Sequence, residues 1–410
     1  SLVGNWVEAA AYGYVVLLLG GSASTLGVIG FLNTIPNLLL ALPAGVLADR
    51  YDRRTLLAVF QGANMALAAT LAALWATGNL TLTLLGVLAV AGGALGTLSF
   101  PAFQGMLAST VPGRDLESAV ALNSLALQLA RFLGPALAGF LLAAAGPTWV
   151  FGVNAASFVG VLGALALLPP ARPRRELLEQ ISGSIGVAAR FVFGQRSLAA
   201  LIGLMALAGL FGTPPVQFMI PALVRYNLDA GAGTLGALTA AVGLGSLLGA
   251  VALLRLARRT NKGEPILAGY FVTAAAIVAI GASHDTALSI VLGLAGGCSG
   301  VLFVGLSTVV VQAMSPDELR ARTTAIWAAA FVGMLPFGAL LTAGLTALLG
   351  PGGAVAVDGV AAFVGGVAVL AFRPQIAWLG CAALPEACVA GADPAAFAIL
   401  EAETQPTAVA

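Results

Sequence analysis

Apolar residues fall in long blocks separated by short, sharply marked breaks. Twelve apolar runs can be read, at 2–20, 25–48, 55–77, 81–108, 118–145, 147–168, 197–224, 232–256, 264–283, 286–313, 320–348 and 352–372. A helix crossing a hydrocarbon core needs about 20 mostly apolar residues, which is the length of these runs. The breaks are turn-forming: GGSAS at 20–24, ATGNLT at 76–81, AGP at 145–147, SHD at 283–285 and LGPGG at 349–353. Membrane β-strands would alternate apolar and polar over segments of about 10 residues. Blocks such as LLLALPAGVLA at 38–48 do not alternate. The pattern predicts an all-α integral membrane protein with twelve transmembrane helices.

Charge then sets a direction across the membrane. Of 18 Lys and Arg residues, sixteen lie on the even-numbered connections, at the run edges that border them or at the end of the last run; Arg225 is on an odd connection and Arg131 is deep inside a run. Positive residues favour the cytoplasmic side, so both termini and the even connections are expected there. Composition agrees with a membrane chain. Only 9% of the 410 residues are charged and 60% are hydrophobic. Soluble domains carry about 25% charged residues, so folding this chain in water would leave its surfaces uncovered. Net charge is +1, which gives no electrostatic reason to expect nucleic acid. The three cysteines and the single His284 offer no metal-ligand spacing. No cofactor and no metal are expected. Lys262 is the only lysine, a bias that points to a GC-rich bacterium and a cytoplasmic (inner) membrane. Ser1 opens the sequence with no charged leader, which reads as a trimmed start rather than a signal peptide.

The runs divide six and six around the Arg-rich connection 169–196, and the halves look like copies. GVLADRYDRRT at 45–55 aligns with AVALLRLARRT at 250–260, and VPGRDLES at 111–118 resembles MSPDELRA at 314–321. Repeats of this kind are a mark of transporters with a substrate site between halves. The expected units are 1–168, a linker at 169–196 whose stretch 176–193 has an amphipathic look suited to the inner membrane surface, 197–373, and a disordered or loosely docked cytoplasmic tail at 374–410.

The connection after the second run reads Gly45-Val-Leu-Ala-Asp49-Arg50-Tyr-Asp52-Arg53-Arg54. It resembles the G-x-x-x-D-(R/K)-x-G-R-(R/K) signature of the major facilitator superfamily, departing at Asp52. The resemblance covers almost the whole chain and implies two pseudo-twofold-related six-helix bundles that rock about a central site. Gly45 is read as a close-approach position and Asp49 as an acceptor for Arg53 or Arg54; the resemblance implies that Asp49 also faces a helix start in the other half when the cytoplasmic side closes. A solvated turn is the plainer reading. In the fifth run Gly134-Pro135 with Gly139 resembles the G-P-x-x-G-type motif of antiporters, implying a bent, tightly packed helix. With Gly4-Asn5-Trp6 and the long central loop, the pattern looks most like the branch of enterobactin-type siderophore exporters and macrolide-efflux relatives.

Ionisable groups inside a span are costly and point to function. Glu8 and Arg131 are the candidates for proton coupling; the resemblance places their spans in one half, where they could pair. A purely structural ion pair, or a Glu8 at the interface, stays open. Cavity candidates are Asn33, Asn37, Gln61, Asn64, Gln104, Asn123, Gln128, Phe218 and Trp327, with interhelical hydrogen bonding as the alternative for each amide. Arg225, Asp229 and Asp358 read as interface groups. The leading function is a monomeric secondary transporter, exporting an amphipathic or lipophilic organic solute by alternating access with proton antiport. An importer or lipid-handling facilitator remains open on the same scaffold. A membrane-embedded enzyme or a transport-inactive sensor lacks supporting residues: there are no clustered His or Cys, no paired carboxylates within the spans and no phosphate-binding G-x-x-x-x-G-K-[ST].

Overall fold

The computed structural model describes residues 2–111, 116–168, 185–257, 261–374, 376 and 379. Among them every long element is helical. Six helices form the first half: α1 (Leu2–Leu18), α2 (Ala23–Arg50), α3 (Arg53–Ala76), α4 (Leu82–Thr110), α5 (Leu116–Ala144) and α6 (Pro147–Leu167). A short helix, α7 (Ile185–Gly194), precedes the second half. There α8 (residues 196–227) is assembled from several pieces, followed by α9 (Ala232–Leu256), α10 (Gly263–Ala282), α11 (Thr286–Met314), α12 (Asp317–Val332) and α13 (Leu335–Phe372).

Among the described residues nine stretches are long and apolar enough to cross a membrane. One of these, Arg322–Phe372, holds a non-helical break at Gly350, and Leu2–Leu18 and Phe132–Ala144 are shorter apolar helices. These segments are consistent with the twelve expected crossings. Gly350 has φ 73°, a left-handed conformation that a side chain would strain, and Pro351 then opens the last span. The breaks read from the sequence coincide with caps: Ser22 forms a capping box with Thr25, Thr81 accepts from Leu84 N and Asp285 from Leu288 N.

Helix pairing shows the two-fold repeat. Within the first half α2 packs on α4 and α3 on α6; six spans later α9 packs on α11 and α10 on the second segment of α13. Across the halves α2 meets the first segment of α13, and the equivalent pair is α5 with α9. Two ends follow from this arrangement. The basic end carries the α2–α3 turn with Arg50, Arg53 and Arg54, and also α7, Lys262 and Arg320. The far end carries the turns 19–22, 77–81, 145–146, 228–231 and 283–285 and the break at Gly350.

Of the expected linker, the described part is α7. Its Ala188, Phe191 and Val192 are buried against the basic-end starts of α8 and α10, while Phe193 is exposed. The tail begins docked rather than loose. Ile376 and Leu379 are buried in the same cluster, and the Leu379 carbonyl accepts from the backbone N–H groups of Lys262 and Gly263. Residues 380–410 lie outside the described residues.

Candidate functional site

The central site is the boundary between the halves, and the halves meet differently at its two ends. Two buried apolar clusters draw on both halves. One joins Val15, Val16, Leu26 and Ile29 to Met219, Leu223, Ile277 and Val355; the other joins Val7, Ala11, Ala138 and Leu142 to Ile220, Val224, Leu235 and Leu238. Apart from Val7, these residues lie in the middle or far-end portions of their helices. At the basic end, one cluster (Ala48, Leu57, Ala102, Met106, Leu165) belongs to the first half, and another (including Leu201, Ile266, Leu306 and Trp327) belongs to the second. Among the described residues the halves are therefore sealed together at the far end and packed separately at the basic end.

Small residues make the far-end seal. A Cβ on Gly139 would run into the backbone of Gly236, and one on Gly236 into Gly139, so α5 and α9 touch backbone to backbone. Gly27 lies against Ala339 and Ala343 of α13, Gly30 against the Phe218 ring, and Gly13 against Pro221. The Gly-Pro element read in the fifth run borders the seal: Pro135 is buried with its carbonyl beside Gly236, while Gly134 abuts Trp6 of α1 within the first half. Opposite it, α8 is irregular. Pro214, Pro215 and Pro221 cannot donate backbone hydrogen bonds, and π-helical turns occupy Ala208–Gly212 and Leu223–Asn227. Gly338 of α13 packs against the Leu210 carbonyl, whose i+4 partner would be Pro214.

Glu8 lies about 9 Å along α1 from its start, at 1.5 Å per residue. Its Oε2 accepts a hydrogen bond from Nδ2 of Asn154 on α6. Ser157 Oγ fixes that amide, lying 2.7 Å from the Asn154 carbonyl and 3.3 Å from Oδ1. One turn along α1, Tyr12 sets its ring edge-on to Phe151 at 6.2 Å, with its hydroxyl buried and without a partner among the described residues. The expected partner, Arg131, is on α5, and its side chain lies outside the described residues, as does that of Gln128. Asn154 was legible only as one polar residue in a span; nothing in the sequence paired it with Glu8.

The remaining cavity candidates divide. Asn33 Nδ2 donates to the Ala89 carbonyl at 3.2 Å, Asn37 Oδ1 accepts from Thr97 Oγ1, and Asn64 Nδ2 donates to the Phe60 carbonyl at 3.0 Å. The first two tie α2 to α4, which is the interhelical alternative. Gln61 Oε1 is buried without a partner among the described residues; Gln104 is exposed and Asn123 half-buried. Phe218 stands at the seal. Trp327 is only 9% exposed inside the basic-end cluster of the second half, with little of its ring left to line a cavity.

Around the signature loop, Arg53 Nη2 is 3.9 Å from Asp49 Oδ1 and Arg53 Nη1 donates to the Gly105 carbonyl at 3.2 Å. Arg54 Nη2 donates to the Ala166 carbonyl at 2.9 Å. All of these partners are in the first half. Asp52, the departure from the signature, is the N-cap of α3: its Oδ2 accepts from Thr55 N at 2.8 Å and from Thr55 Oγ1 at 2.7 Å. Gly45, read as a close-approach position, has open space around it here: a Cβ built on it would meet nothing within 4 Å. Arg50 lies over the Tyr51 ring at 5.9 Å. Arg258 and Arg259, the repeat of this loop in the second half, lie outside the described residues. Asp358, read as an interface group, is instead 0% exposed between helices.

Comparisons with known proteins agree with this architecture. The family described as transmembrane secretion effectors, within the major facilitator superfamily, matches residues 1–378. The enterobactin exporter EntS of Shigella boydii serotype 18 is 29% identical over 339 residues, covering 80% of this chain and 78% of the relative. EntS of Citrobacter koseri gives the same identity and coverage, 29%, 80% and 78%. Among solved structures, a D-xylose–proton symporter superposes with TM-score 0.71 at 16% identity, over 92% of this chain and 96% of that one. A bacterial homologue of the human lysosomal transporter Spinster, in an inward-facing, unoccupied conformation, gives TM-score 0.66 at 13% identity, over 92% of both chains. At such identities the structures speak for the fold alone. The relatives are transporters and not enzymes. With its helical repeat, its signature loop at Gly45–Arg54 and a family match that runs from the first residue to the docked start of the tail, the chain belongs to the transmembrane secretion effectors of the major facilitator superfamily and is a membrane transporter.

Proposed function

We propose that the protein exports an amphipathic or lipophilic organic solute across a bacterial inner membrane by alternating access, driven by proton antiport. The observation that carries this reading is the placement of the apolar clusters that join the halves. Among the described residues they bridge at the far end, while the clusters at the basic end each belong to one half. With the arginine-rich end in the cytoplasm, this is a form open inward, ready to take a solute from the cytoplasm. The relatives that are enterobactin exporters favour efflux and put siderophores first among the solutes to try.

Glu8 is the coupling carboxyl in this reading. It sits inside the first half, half-buried, with Asn154 as its hydrogen-bond donor, and exchange of its proton accompanies the change of access. Asp49 acts as the cytoplasmic latch: half-exposed and near Arg53 here, it turns to the start of a helix in the second half when the basic end closes. The first and second bundles, 1–168 and 197–373, move as units about the centre, and one chain is sufficient for the cycle.

The test is efflux from proteoliposomes loaded with enterobactin, a macrolide, a dye or a lysolipid, with and without an imposed pH gradient. Efflux of at least one solute that accelerates about tenfold with the gradient is the expected result. Counterflow with no response to the gradient would replace antiport by facilitated diffusion.

A further inference from the structure

The foot of the last span carries a charged and aromatic surface that the transport reading leaves unused. On the second segment of α13, Gly359 and Gly366 pack against α10, at Val278 and at Tyr270. Much of the remaining surface is exposed and apolar: Val360, Val364 and Val367 lead down to Phe372, which is 82% exposed. In a chain that crosses a membrane, such a stripe faces acyl chains. Arg373 follows at once, also exposed, at the basic end.

A second arginine stands across from it. Gly203 of α8 lies nearest Val369 of α13, and Gly365 of α13 nearest Leu207 of α8, so the two helices run antiparallel. Arg196, the first residue of α8, is two turns before Gly203 and shares its face. Arg373 is one turn beyond Val369, on the side turned towards α8. At 1.5 Å per residue the two Cα atoms differ in level by about 4–5 Å. Axes of packed helices lie about 8–10 Å apart. Two arginines so placed can reach one group held between the helix ends.

The protein supplies no counter-charge there. Arg196 and Arg373 are exposed, and neither side chain has a hydrogen-bond or ion-pair partner among the described residues. Glu264, exposed on the first turn of α10, pairs with neither of them. Phe193 of α7, three residues before Arg196, is 64% exposed at the same end. Arg190, one turn earlier, is already engaged with another residue and is left out of the count. Two cations this close repel each other unless an anion lies between them. Guanidinium groups suit a phosphate, and exposed aromatic rings suit the headgroup level.

We propose that Arg196 and Arg373 hold the phosphate of an anionic phospholipid of the inner leaflet, with an acyl chain along the stripe from Val360 to Phe372. A free phosphate would use the arginines and leave the stripe and Phe372 without a role. A zwitterionic lipid would bring its own ammonium towards two guanidinium groups, so the headgroup is one without a cation. The bound lipid joins α8 to the last span at the end where Ile376 and Leu379 also dock, and so steadies the second bundle. The inference needs the basic end to be cytoplasmic, and it holds for any solute and either direction of transport.

The experiment places a fluorophore on the exposed position Ala368→Cys, in a background without Cys298, Cys381 and Cys388, reconstituted in phosphatidylcholine vesicles. A small fraction of the lipid carries a nitroxide quencher on an acyl chain, either as phosphatidylglycerol or as phosphatidylcholine. With both arginines present, phosphatidylglycerol should be preferred beside the label by about 20-fold, at about fivefold per arginine. Arg196→Gln or Arg373→Gln should each cut the preference about fivefold, and the two together should remove it. Lysine at both positions should keep most of it. Equal quenching by the two lipids with both arginines in place overturns the proposal without any change at the site. A preference that survives the double glutamine substitution overturns it too. If inorganic phosphate abolishes the preference and chloride at the same ionic strength does not, the site takes free anions and the lipid assignment fails. None of these outcomes touches the export reading, which is tested by efflux.

Discussion

At the far end the backbones of α5 and α9 meet at Gly139 and Gly236, and α2 meets α13 at Gly27, Ala339 and Ala343. At the basic end Arg53 and Arg54 reach carbonyls of their own half, and Asp49 lies 3.9 Å from Arg53. One end is held by short-range packing that depends on shape and loses about a quarter to a half of its strength when a gap of about 0.5–1 Å opens. The other presents charges whose attraction reaches further and tolerates displacement. The difference teaches how one scaffold can favour two states: a dry, small-residue seal at one end is weighed against a polar latch at the other.

Filling the seal should have the largest effect. Gly139→Leu or Gly236→Leu inserts a side chain where backbone already stands, and overpacking of this kind costs about 1–3 kcal/mol. Because neither backbone can give way without parting the helices, the upper end of that range applies to the closed far end. The expected outcome is a roughly 100-fold shift towards far-end opening, read as faster labelling of a cysteine at Ala343→Cys and near-complete loss of transport. The same change at Gly45, which has open space around it, should leave both readings close to wild type.

Next in size is the Glu8 site. Asn154→Ala leaves a partly buried carboxyl without its donor, a loss of about 1–3 kcal/mol that should appear as a lower melting temperature in detergent. Glu8→Gln keeps an oxygen to accept from Asn154 and should melt near wild type, yet lose the gradient-driven part of efflux. Unchanged gradient dependence in Glu8→Gln would remove the residue from coupling.

Smaller effects are expected at the basic end. Asp52→Ala removes the cap of α3, worth about 1 kcal/mol, and should lower the melting temperature without changing which end is open. Asp49→Asn should change stability by less than about 1 kcal/mol, because its ion pair is partly exposed. Its effect should appear as a slower return to the basic-end-closed form, measured by spin-label distances during turnover.

Much of the fold was legible because helix length, turn residues and arginine placement are local or compositional signals. The breaks at Gly20, Gly146 and Gly350 fall where the chain turns, and Asp52, an anomaly against the signature, is explained by its cap. The site was legible in part. Glu8 stands out as an acid in an apolar run, but its partner Asn154 is 146 positions away, and no local pattern links them. Asn33 and Asn37 share a helix face, as their spacing says, yet that face looks at α4, and sequence spacing cannot tell a neighbouring helix from a cavity. Asp358 was misread for a related reason. Its distance from the turn at Gly350 resembles that of an interface residue, whereas burial there is decided by Thr342 on the preceding segment.

The most direct measurement of the central claim uses two spin-label pairs in the same lipid preparation: Asn79→Cys with His284→Cys at the far end, and Tyr51→Cys with Arg255→Cys at the basic end. Adding a transported solute under a pH gradient should lengthen the first distance and shorten the second in the same fraction of molecules. A basic-end distance that stays fixed while transport proceeds, or two distances that lengthen together, would contradict alternating access between these ends.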